Sequence, residues 1–319
     1  MGQFLDLYRK QGGAKLLREF WDNGALGYAL CQMLLLGKSK KALEILRLGV
    51  QLKTQQKIEK EFLSVLKDFD KQYCQNPPVS TPGQNIWMYW NSGIDNAPPI
   101  VKHCYESIKA NTDRPLILLT GDNYKQYVTL PDYIESKHEA GLIGEAHFSD
   151  ILRIELLAKY GGTWIDATVL CVDRNIPAFF FDSEFFVFQK LKPGLDGHTQ
   201  HISNWFITAW SNQKFILAQQ ALLRNYWRRY DKSIQYFFFH HFFTMISHYY
   251  QDDWKKVIQF PNSFPHILLL MLFDPFDSKK WDALRASCPF QKLSYKFDKE
   301  KLQLQGTYYQ HIMSAGHSA

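Results

Sequence analysis

Phe148-Ser-Asp-Ile-Leu-Arg-Ile-Glu-Leu-Leu-Ala-Lys-Tyr-Gly-Gly-Thr-Trp-Ile-Asp-Ala-Thr168 is the stretch of this chain that decides its fold. Apolar residues at helical spacing predict an amphipathic helix over 149–160, with Ser149 as its N-cap. Asp150 and Arg153, three apart, share one face of that helix. Gly161-Gly162 stops the helix and permits a sharp turn. Thr163–Leu170 then reads as a strand that delivers Asp166. Alone, Asp150 and Arg153 would read as a solvated ion pair on a helix, and Asp166 as a turn aspartate. Joined by the glycine pair, with Asp166 following Asp150 by 16 residues, they read as two carboxylates and one guanidinium gathered at one sheet edge.

Working outward, Ile86-Trp-Met-Tyr-Trp90 is a short apolar strand closed by the turn Asn91-Ser-Gly93. Pro99–Ala110 is a helix with proline at its start, Leu116–Leu119 a strand stopped at Thr120-Gly-Asp122, and 132–141 another helix. Strands alternating with helices predict an α/β, Rossmann-like unit with a largely parallel sheet. Ligands of such sheets sit at the carboxyl ends of the strands, so the turns after Trp90, Leu119 and Ile165 should share an edge. Further on, Glu184–Phe188 and Asn204–Ala209 read as strands, Lys214–Tyr230 and Ile234–Tyr250 as helices, and Lys292–Lys296 as a last strand. Residues 1–75 read as helical, with Lys38–Leu66 as an amphipathic helical pair. Three prolines and a glycine in Asn76-Pro-Pro-Val-Ser-Thr-Pro-Gly83 mark a boundary between an N-terminal helical region, 1–83, and a second domain, 84–319.

Composition excludes several classes. The 319 residues hold 37 Lys+Arg against 31 Asp+Glu, too small and too scattered an excess for a nucleic-acid surface. No stretch reaches the roughly 20 apolar residues of a membrane-spanning helix. The N-terminus lacks the basic-then-apolar order of a signal peptide, so the expected location is cytoplasmic. Five scattered cysteines without a CxxC pair argue against a disulfide framework or a cysteine zinc site. Aromatic residues make up 16% of the chain. Trp87, Tyr89, Trp90 and Trp164 are assigned to stacking near the block above, and the Phe-rich run after Tyr236 to core packing. For Trp90 a core position is an equal alternative. Within the Phe-rich run, adjacent His240 and His241 point apart on a helix. A packed aromatic helix with partly exposed histidines is the better account than a metal site. The lysine-dotted N-terminal region reads either as a bundle packed on the rest or as a surface for anionic lipid.

The block Phe148–Thr168 resembles the sugar-nucleotide site of glycosyltransferase family 32, the DXD sugar-binding region group. It is closer still to the capsular polysaccharide synthesis proteins related to that group. The S-D-x-x-R…G-G-x-x-x-D layout is also that of the large glucosylating toxins. The resemblance implies a GT-A fold, a Rossmann-like nucleotide-sugar-binding domain. It further implies that Asp150 binds ribose or sugar hydroxyls, that Arg153 contacts the donor sugar or its phosphates, and that Asp166, as first aspartate of the DXD motif, reaches ribose and a divalent cation, manganese or magnesium. Trp90 is placed to stack on the base, and Asn204, in a segment like the family's N-x-F, to sit near the donor sugar.

Here the motif reads Asp166-Ala-Thr168, with Thr168 where the family usually has a second metal-binding aspartate. The cation would then rest on Asp166 with help from Asp173 or His311, or protein cations would replace it, with Arg153, Lys292 and Lys296 the candidates. Asp166, Arg153 and Asn204 are therefore the catalytic candidates, and Asp150, Arg153, Asp166, Trp90 and Thr168 the donor-binding ones. Asp166 and His311 are the metal candidates. The resemblance implies transfer of a hexose from a nucleotide sugar, UDP-linked, to a glycan or lipid-linked oligosaccharide acceptor, with retention of configuration. The implied setting is bacterial capsule or exopolysaccharide assembly at the cytoplasmic membrane face. The rival expectations are a degenerate transferase that only binds nucleotide or glycan, which Thr168 favours, and a toxin-like protein glycosyltransferase.

Overall fold

Ile86–Tyr89 is apolar at every position, as a strand covered on both faces must be, and it forms β1 inside a five-stranded sheet. The computed structural model describes residues 20, 21, 23–37, 39–191 and 202–315. β2 (Leu116–Leu119) and β3 (Gly162–Ile165) flank β1, both parallel to it. β4 (Val169–Cys171) leaves this sheet. β5 (Phe185–Gln189) and β6 (Ile202–Ala209) rejoin it antiparallel, giving the order β2-β1-β3-β6-β5. This is the α/β class expected from the sequence. The directions matter for function: the carboxyl ends of β1, β2, β3 and β5 meet the amino end of β6 at one edge. There Trp90 donates its N–H to the Leu119 carbonyl at 3.0 Å, and Gly121 to that of Asn91 at 3.0 Å, so the two turns adjoin as expected.

The longer helices are α1 (Leu26–Leu36), α2 (Lys40–Gln75), α3 (Pro99–Asn111), α4 (Asp132–Glu139), α5 (Glu145–Tyr160), α6 (Lys214–Arg229), α7 (Phe238–Tyr249), α8 (Ser278–Ser287) and α9 (Tyr308–Ala315). Successive strand residues point to opposite faces, and β1 shows it: Trp87 and Tyr89 join one core, Ile86 and Met88 the other. The first core also takes Ile58, Phe62 and Leu66 from α2, Leu152 from α5, Trp227 from α6 and Phe242 from α7. The second gathers Val101 and Cys104 from α3 with Phe180, Phe186, Phe206 and Phe290.

Several elements differ from the sequence expectation. The expected strand Thr163–Leu170 is two strands in different sheets. Val169 donates to the Asp166 carbonyl at 3.0 Å, closing a turn, and β4 pairs with β7 (Phe290–Lys292). α5 starts one turn earlier, at Glu145 with Gly144 as N-cap, because Glu145 and Ala146 extend the helix readily. Ser149 is thus not a cap, and its hydroxyl donates to the Ala146 carbonyl at 2.8 Å. The helical pair over 38–66 is part of one 36-residue helix, α2. Gly49 does not break it; it makes room for the ring of Tyr28 from α1. The last strand ends at Lys292 instead of beginning there. The expectation of helix over residues 1–19 lies outside the described residues.

The glycine pair works as read. Gly161 and Gly162 both take positive φ, +64° and +94°, and a Cβ on Gly162 would collide with the Asn85 carbonyl oxygen. Replacing Gly162 with alanine should therefore destabilise the protein by about 2 kcal/mol or more. Urea unfolding checks this; an unchanged midpoint would mean that the turn relaxes freely.

Candidate active site

Helix α5 turns one face toward the strand edge, and that face carries Asp150 and Arg153, 5% and 2% exposed. A guanidinium this deep needs anionic partners. Arg153 has two: it donates to Asp150 Oδ1 at 2.5 Å and to Asp166 Oδ1 at 2.9 Å. Its guanidinium also lies 4.8 Å from the ring centre of Trp164, and Trp164 donates its indole N–H to Asp166 Oδ1 at 3.0 Å. Asn204, at the amino end of β6, donates to Asp150 Oδ1 at 2.8 Å. From the other side Lys292 donates to Asp166 Oδ2 at 3.1 Å and to Thr168 Oγ1 at 2.5 Å. Burial acts to raise the Asp166 carboxyl, but Lys292 and Arg153 outweigh it and hold the group below its usual value. Asp166 is therefore an anion across the neutral range.

Asp150, Arg153, Asp166, Asn204 and Lys292 line a cavity of about 490 Å³, within the range of small-ligand sites. Lys190, just beyond the carboxyl end of β5, lines it too, with its pKa lowered by burial. Tyr236, His147, His240 and Gln51 of α2 add to the wall. Among the described lining residues, three basic side chains, Arg153, Lys190 and Lys292, stand with two carboxylates, Asp150 and Asp166. Such a cavity suits a phosphorylated ligand.

Residues 38–312 match the capsular polysaccharide synthesis protein family. The chain belongs to this family. It is also related to glycosyltransferases. It is 29% identical over 99 residues to the O-glycosyltransferase PaGT of Phomopsis amygdali, covering 28% of this chain and 24% of that protein. It is 27% identical over 104 residues to the glycosyltransferase afumC of Aspergillus fumigatus, covering 30% of this chain and 27% of that one. The chain thus matches about a quarter of the length of these curated relatives. A solved structure of the PaToxG glycosyltransferase aligns with 81% of this chain and 98% of its own at 16% identity, with a TM-score of 0.37.

In this member of the capsular polysaccharide synthesis family, the structure brings together Asp150, Arg153, Asp166, Thr168 and Asn204. Trp90 stands aside. It is half-buried and meets Tyr295 edge to face at 5.4 Å, outside the residues lining the cavity. Trp87, Tyr89 and Trp164 are buried core residues rather than stacking surfaces; the Trp87 indole donates to the Gly161 carbonyl at 2.8 Å. His240 and His241 are buried, not partly exposed, because their helix is wrapped by α2, α6 and β6. Burial pushes them down to about 3 and about 4, so both are neutral.

The proposed metal set does not assemble. His311 stacks on Phe276 at 3.8 Å and lines a different cavity, alongside α3 and α8. Asp173 is bound to Arg285 at 3.1 Å. Among the described residues no group of three or more His, Cys, Asp or Glu could hold a metal ion. With both Asp166 oxygens already paired to cations and Thr168 neutral, the donor set does not fit a divalent cation.

The sequence reading missed Lys190, Tyr236, His147 and Gln51. Lys190 alone left a usable signal, a lysine directly after the apolar strand Phe-Phe-Val-Phe-Gln189.

Because Asp150 is a partner of a buried charge, Asp150→Asn should cost about 3 kcal/mol in guanidinium unfolding. Asn204→Ala should cost nearer 1 kcal/mol. A loss below 1 kcal/mol for Asp150→Asn would mean that its pairing with Arg153 is no more than a solvated surface contact.

Proposed function

We propose that this chain is a glycosyltransferase that moves a hexose from a nucleoside-diphosphate sugar, UDP-linked by resemblance, to a glycan hydroxyl in bacterial capsular or exopolysaccharide assembly. The observation behind it is the joined set Asp150–Arg153–Asp166 with Lys292, on a cavity at the carboxyl edge of the parallel strands. In the reaction the bond from the anomeric carbon to the diphosphate oxygen breaks, and its electron pair leaves with the nucleoside diphosphate. The acceptor oxygen bonds to the same carbon, and the hydroxyl proton departs with the phosphate. The leaving group gathers negative charge, which fixed cations stabilise best where water is excluded. Asp166 and Asp150 face developing positive charge on the sugar and accept hydrogen bonds from its hydroxyls or the ribose. Retention of configuration follows from the family resemblance alone.

Asp166→Ala and Arg153→Ala should each lower nucleotide-sugar hydrolysis and transfer by about 100-fold or more. The check is product formation over a panel of nucleotide sugars, with thermal unfolding run alongside. Wild-type rates in both variants would sink this assignment.

For the acceptor, we infer a lipid-linked glycan met at an anionic membrane surface. Leu34 and Leu35 of α1 are 87% and 72% exposed, and Leu30, Leu36, Leu48 and Leu52 are also exposed. Beside them stand Lys40, Lys41 and Arg47, exposed on the same helical hairpin. An apolar tip with a basic flank suits the headgroup region of an anionic bilayer. The same α2 carries Gln51 into the cavity wall. Among the described residues no helix is long and apolar enough to cross a membrane. The protein should cosediment with phosphatidylcholine vesicles containing about 30% phosphatidylglycerol and release at high salt. Leu34→Glu with Leu35→Glu should abolish this. Equal binding of wild type and variant would remove the hairpin from the account.

A further inference from the structure

Lys292 reaches the site by a route that leaves its ammonium little choice of position. β7 runs antiparallel to β4 with Lys292 opposite Val169, and Leu293 donates its N–H to the Thr168 carbonyl at 2.8 Å. The backbone ladder therefore sets Lys292 beside the Asp166-Ala-Thr168 turn. Its Nζ lies between Asp166 Oδ2, at 3.1 Å, and Thr168 Oγ1, at 2.5 Å. It thus bridges the first and third side chains of the motif. An ammonium has three donors, and these two bonds leave one for the cavity that Lys292 lines.

The charges balance in the same way as in a metal site. Two carboxylates with one divalent cation sum to zero. One carboxylate, one neutral hydroxyl and one ammonium also sum to zero. Threonine at 168 accepts a hydrogen bond from Lys292, whereas it is a poor ligand for a hard divalent cation.

We propose that Lys292 is the resident cation of this site, donating its remaining N–H to the diphosphate of the donor, so that binding and transfer need no divalent metal. This rests on the nucleotide-sugar reading above and names the group that receives the leaving diphosphate.

The experiment uses calorimetry with UDP, ADP, GDP, CDP and dTDP, each with chelator and with manganese, on wild type, Lys292→Met and Lys292→Arg. Thermal unfolding of each variant shows whether it is folded. The expected result is that at least one nucleotide binds wild type equally with chelator and with manganese. Lys292→Met should bind it about tenfold to a hundredfold more weakly, and Lys292→Arg should recover part of the loss. Manganese added to wild type and nucleotide should keep its free-ion electron paramagnetic resonance signal. Turnover of the matching nucleotide sugar should persist in chelator.

Nucleotide binding that appears only with manganese would overturn the role of Lys292 and leave the glycosyltransferase reading standing. So would unchanged binding by a folded Lys292→Met. Failure to bind any of the five nucleotides under either condition would overturn both together.

Discussion

Everything at the sheet edge depends on one buried guanidinium. Arg153 cannot sit 2% exposed without charge partners. Its partners come from three elements: Asp150 from its own helix, Asp166 from the end of β3, and Asn204 from β6, through Asp150. The demand for pairing thereby fixes the distance between α5 and the sheet. It also explains the glycine pair, since only a chain free to take two positive φ values in succession can fold β3 back beneath α5. Asp150 and Asp166 would repel if alone; Arg153 between them and Lys292 beyond make the group neutral before any ligand arrives. Such a site holds its donors in place in advance and has little reorganisation left to perform.

The aromatic excess belongs largely to this support. Trp164 lies under the Arg153 guanidinium and also holds an Asp166 oxygen, so a residue suited by type to stacking on a ligand braces the buried charges instead. On the opposite face of the sheet, Phe180 touches Phe186, Phe188, Phe206 and Phe290 with ring centres 5.1 to 5.9 Å apart. These rigid rings carry β5, β6 and β7 as one block, so the strands bearing Lys190, Asn204 and Lys292 share a common foundation.

How much of this was legible in the sequence follows the range of each interaction. The helix, turn and strand of 148–168 are local, and their periods and glycines are written in consecutive residues. The α/β class and the shared edge follow from the alternation of such local units. The break after Ile165 was not legible, because an apolar run does not say to which sheet each half pairs. The place of Lys292 was legible only in part: it stands with Arg153 and Lys296 among the candidate cations, but that it is the one seated against Thr168 follows from strand pairing more than a hundred residues away, and pairing partners leave no local mark. His311 shows the reverse error: a chemically suitable residue near the end of the chain was assigned to the site, while packing against Phe276 holds it in another cavity. Trp87 and Tyr89 were misassigned for a related reason. Their type suits both stacking and burial, and only the sheet's position decides.

The contact between Lys292 and Asp166 joins residues 126 apart in the chain. A growing polypeptide exposes β3, its carboxylate and α5 long before β7 is made. Until then Asp166 has Arg153 as its one cationic partner from this network, and β4 has an open edge. The little two-stranded sheet is thus the closing latch of the molecule. Contacts of such long sequence separation form late and slowly. The charge network at the sheet edge is therefore completed only once β7 has been made, 126 residues after the carboxylate it pairs with.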